Sequence, residues 1–68
     1  MNVPQQPYDA TTIATLRQAL DEVISDQRFR GNRFVTALEM AECILKQAAM
    51  GERDIARLKQ RALEKLAA

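Results

Sequence analysis

Wound at about 100° per residue, the chain shows three stretches of helical periodicity separated by two breaks. In the first stretch Ile13, Leu16, Leu20, Val23 and Ile24 fall on one narrow apolar stripe, and the rest of the turn is polar or small. Asp9 stands where a carboxylate can cap the first free amides, and Tyr8 and Ile13 have the spacing of a hydrophobic staple. Together these signals predict a helix over residues 9–27.

The connector from Arg28 to Val35 contains Gly31 and Asn32, a pair that readily takes positive φ and so turns the chain. Beyond it Thr36-Ala37-Leu38-Glu39 reads as a capping box, with Val35 and Met40 placed as its staple. A second helix is predicted over residues 36–50, closed by Gly51 where a left-handed C-cap residue is wanted. Glu52 and Asp54 place negative charge at the start of a third helix, predicted over residues 52–67, with Ile55, Leu58, Ala62, Leu63 and Leu66 on one face. Residues 1–7 hold both prolines and no helical pattern, and are expected to form a disordered tail. No strand pattern or internal repeat interrupts this reading. The fold class is therefore all-α, one small three-helix domain over residues 8–68.

The second helix carries more apolar surface than one side can hold. Phe34, Ala37, Leu38, Ala41, Ile44, Leu45, Ala48 and Ala49 make a broad face, expected to pack on the other helices. Met40, Cys43, Gln47 and Met50 form a second stripe at near-heptad spacing, with no evident cover within the chain. These four residues are the expected interface, either of a helical homodimer or with a larger protein partner. Methionine suits such a surface because its flexible, polarisable side chain adapts to its neighbour. Size points the same way, since chains of this length bury little apolar surface alone. The narrow stripe of the first helix would suit its own hairpin or a partner's, which leaves a domain-swapped dimer open.

Composition removes several kinds of chemistry. One cysteine permits no intramolecular disulfide, and the absence of histidine removes Cys/His zinc sites and imidazole acid–base groups. Two glycines far apart build no phosphate loop, and the single serine, Ser25, has no general base in view. Glu39 and Glu42 lack the histidine that a carboxylate-bridged metal pair in a bundle requires. Cys43, mid-helix beside acids, reads as a small apolar residue rather than a reactive thiol. No enzymatic activity and no cofactor are expected. With neither a basic leader nor a long apolar run, no membrane segment is expected and a cytoplasmic location is.

The formal net charge of +1 conceals segregation: residues 1–27 hold four acids against Arg17, while Arg28, Arg30 and Arg33 crowd the connector beside Phe29 and Phe34. The two phenylalanines are expected to fold back over the open end of the core. The arginines are a candidate anion or partner contact, since guanidinium groups and aromatics together hold phosphates and stack on bases. A DNA-binding helix-turn-helix around Gly51 is disfavoured, because Gln47 occupies the position of a small residue and Arg57 and Gln60 fall at core positions. The functional expectation is a small cytosolic interaction or adaptor module that self-associates through the second helix. The alternative is a nucleic-acid-binding regulator that uses the arginine connector and the basic side of the third helix.

Overall fold

The structure is a computed structural model and describes residues 9–67. Its elements are α1 (Ala10–Ser25), α2 (Gln27–Arg30), α3 (Ala37–Ala49) and α4 (Ile55–Ala67). The three long helices are the three expected ones; the single turn of α2 was not expected. The tail at residues 1–7 and the staple role of Tyr8 lie outside the described residues.

A side-chain cap opens each of the four helices. Asp9 opens α1 by accepting from the Thr12 N–H at 2.8 Å. Asp26 then ends α1 and starts α2. Its backbone is extended (φ −73, ψ 139), its own N–H still donates to the Val23 carbonyl, and its Oδ1 accepts from the Arg28 N–H at 2.8 Å. A helix expected to run through residue 27 is thus broken at Asp26, and the first three residues of the expected connector join a helical turn.

The connector also turns differently from the sequence expectation. Gly31 has φ −86, and among the described residues Gly51 alone has positive φ. The chain is turned instead by the Asn32 side chain. Its Oδ1 accepts from the N–H groups of Phe34 and Val35 at 2.9 and 3.1 Å, while its Nδ2 donates to the Val35 carbonyl at 2.8 Å.

Thr36 and Glu39 form the capping box at the start of α3: the Glu39 N–H donates to the Thr36 hydroxyl and the Thr36 N–H donates to the Glu39 carboxylate. At the other end Gly51, at φ 103, lets its own N–H reach the Ala48 carbonyl and the Glu52 N–H reach the Gln47 carbonyl, a Schellman closure. Arg53 adds a guanidinium hydrogen bond to the Ala48 carbonyl at 2.7 Å, a positive charge where the helix dipole is negative. The last helix begins at Ile55 rather than Glu52. Asp54 caps it by accepting from the Ala56 and Arg57 N–H groups, and Glu52 accepts from the N–H groups of Arg53 and Asp54. Both acids therefore precede the helix instead of sitting in its first turn.

α1, α3 and α4 pack against one another around a core of Leu16, Ala19 and Val23, Met40, Ile44 and Ala48, and Leu58, Ala62 and Leu63. Each helix supplies three residues, one of them alanine, so all three axes can approach closely. Phe29, Val35, Ile55 and Leu66 close the ends of this core. Asp26 ties the connector to α4: it holds the Arg28 guanidinium in a fork of 3.0 and 3.1 Å and stands 3.6 Å from Lys59 Nζ.

Candidate functional site

The expected interface stripe on α3 does not form a free surface. Met40 is 0% exposed and belongs to the chain's own core. Cys43 is half-buried against that core, and its thiol donates to the Arg61 carbonyl of α4 at 3.8 Å. Gln47 is half-buried, and only Met50, 74% exposed, projects into solvent. The reason is the position of α4, which comes directly out of the Gly51 turn and lies over this side of α3.

The covering of that side leaves the other one open. Leu38 is 68% exposed and Leu45 46%, although both belong to the face expected to be buried; Ala37 and Ala49 are exposed with them. The same displacement occurs on α1. Its buried residues are Leu16, Ala19 and Val23, so the packed arc is turned toward Ala19, leaving Ile13 43% exposed and Leu20 half-buried. Each helix carries an apolar stripe wider than its neighbours cover, and the two uncovered edges face each other.

They meet in a groove of about 250 Å³. Ile13, Leu20 and Arg17 of α1 form one wall, Ala41 and Leu45 of α3 the other, and the buried side chains of Leu16 and Ile44 form the floor. Arg17 is the only charged residue among those lining it. Such a surface can bury apolar side chains but has no nucleophile, acid or ligand set to act on them. Sequence reasoning placed these residues in the core because periodicity reports which residues are apolar, not which neighbour arrives to cover them. The available signal was the width of the α3 face, too broad for one partner helix.

The arginines of the connector are brought together only in part. Arg28 and Arg33 line a broad cleft of about 970 Å³ against α4, whereas Arg30 does not. The cleft also takes in Glu22, Lys59 and Glu64, so charges of both signs line it. The Arg28 guanidinium is already bound to Asp26, whose carboxyl is held down to about 2 chiefly by the hydrogen bond from that side chain; the same contact raises Arg28. Phe29 packs on the core as expected, but Phe34 does not fold back: the Asn32 hydrogen bonds hold its backbone, and the ring is 90% exposed.

Among the described residues no helix is long and apolar enough to cross a membrane. No protein-family model matches the chain, and no curated protein and no solved structure matches it significantly.

Proposed function

We propose that the chain is a small helical protein–protein interaction module, an adaptor without a catalytic step of its own, which self-associates by setting the α1/α3 groove against the same groove of a second copy. One observation carries the reading: the leftover apolar edges of two helices, with Ile13 and Leu45 both well exposed, line one groove, and Leu38 is exposed on the same helix as Leu45. An apolar strip of this kind, bordered by charge, is the surface that helix-on-helix docking covers. A nine-residue core in so short a chain also gains most from burying a second layer. A cytoplasmic setting belongs to the proposal, supported by a lone cysteine with no disulfide partner in the chain.

The test is solution mass by light scattering under reducing conditions, for the native chain and for Leu45→Glu. The native chain is expected at twice 7.7 kDa. The variant is expected to be a monomer that keeps its helical circular dichroism, since Leu45 lies at the rim of the core. A native chain that stays monomeric up to millimolar concentration would sink the proposal.

A further inference from the structure

Phe34 is the most exposed large apolar side chain among the described residues, and its backbone is fixed on both sides. Its N–H donates to Asn32 Oδ1 at 2.9 Å, Val35 packs on the core directly after it, and the Thr36 capping box follows. A ring kept in water at 90% exposure by so firm a turn adds nothing to the core. It is a contact surface presented in advance.

The charge beside that ring has one sign. From residue 27 to residue 36 every charged side chain is an arginine. Arg28 is engaged by Asp26, but Arg30 and Arg33 are exposed and make no ion pair with another described residue. Arg33 and Phe34 together line the cleft against α4, where Asn32 and Gln60 add neutral amides. The two acids of the cleft are already engaged: Glu64 stands 3.7 Å from the Arg61 guanidinium, and Glu22 accepts from the Gln18 amide at 3.3 Å.

A single-stranded nucleic acid uses both halves of this arrangement, because an unstacked base offers a flat π face to the ring while the phosphates beside it take the guanidinium groups. A duplex hides its base faces, and an acidic peptide answers only the arginines. We propose that the connector binds single-stranded nucleic acid, with Phe34 stacking on a base and Arg33 and Arg30 holding neighbouring phosphates. The cleft shares no lining residue with the α1/α3 groove, so this site stands independently of self-association.

The test is fluorescence anisotropy of an end-labelled oligothymidylate titrated with the full chain at about 50 mM salt. Two phosphate contacts predict that log K falls against log salt with a slope of about −1.4, and Arg33→Gln should halve that slope. Phe34→Leu keeps an apolar side chain but no π face, and is expected to weaken binding about tenfold. Phe34→Trp should bind as well as the native chain, with its indole emission quenched as the base stacks. These positions are exposed, so circular dichroism of every variant should match that of the native chain. Absence of binding at low salt would overturn the site. So would F34L binding as tightly as the native chain, unquenched emission from F34W, or a duplex bound equally well, each of which leaves backbone charge alone. Competition by polyglutamate as effective as that by unlabelled oligothymidylate would likewise overturn it and assign the surface to an acidic protein.

Discussion

Lys59 Nζ lies 3.6 Å from Asp26 Oδ2, so one carboxylate pins α4 to the break between α1 and α2. The same carboxylate caps α2 and holds Arg28, and the Arg28 side-chain hydrogen bond is the main reason its pKa falls from 3.8 to about 2. A carboxyl that binds its proton more weakly folded than unfolded stabilises the fold above its unfolded pKa. That contribution is lost as pH falls through the window from about 4 to about 2. Urea midpoints of the native chain should therefore drop across this window. In Asp26→Asn the midpoint should be lower at neutral pH and flatter below pH 4; a variant curve as steep as the native one would assign the acid loss to other carboxylates.

Met40 and Met50 are separated by ten positions on one expected stripe, yet they should respond to truncation in opposite ways. Met40→Ala empties a fully buried site and is expected to cost about 2–5 kcal/mol, while Met50→Ala removes an exposed side chain and should fall within about 0.5 kcal/mol of zero. Denaturant midpoints at equal m-values measure both. Similar effects at the two sites would contradict the placement of Met40 in the core.

Gly51 offers a cleaner test of backbone strain than of packing. A Cβ added there meets no atom within 4 Å, so any cost of Gly51→Ala comes from holding an alanine at φ 103. That cost should be about 1 kcal/mol, and Gly51→Asn should cost less because asparagine tolerates the left-handed region. Thermal melts of the two variants rank them, and equal melting points for alanine and glycine would show that the Schellman turn is not maintained in solution.

The elements of the fold were largely legible because their signals are local. Asp9, the Thr36–Glu39 box and Gly51 act on backbone groups within a few residues, and each does in the structure what its spacing implies. The errors in local structure arise where two local signals compete. At Asp26 the side chain favours the Arg28 amide over continuing the helix, and at Asn32 a side-chain turn replaces a left-handed backbone. Asp54, rather than Glu52, wins the competition to cap α4.

The candidate surface was not legible in the same way. Met40 and Leu45 are both apolar members of one helix, and nothing local distinguishes the one that is 0% exposed from the one that is 46% exposed. Their fates are decided by the direction in which α4 leaves the Gly51 turn, a property of residues that neither of them touches in sequence. Ala19 escaped notice for a related reason: alanine adds little to an apolar stripe, yet its small size suits it to the closest approach of two helices.

The equal division of the core, three residues from each long helix, has a consequence for how the molecule opens. Every pair of the three long helices is in contact, and removing any one of them exposes inward residues of both others to water. The domain therefore has no smaller piece able to persist alone, and the amide protons at the centres of α1, α3 and α4 must exchange with solvent through one shared event, at one common rate-limiting free energy.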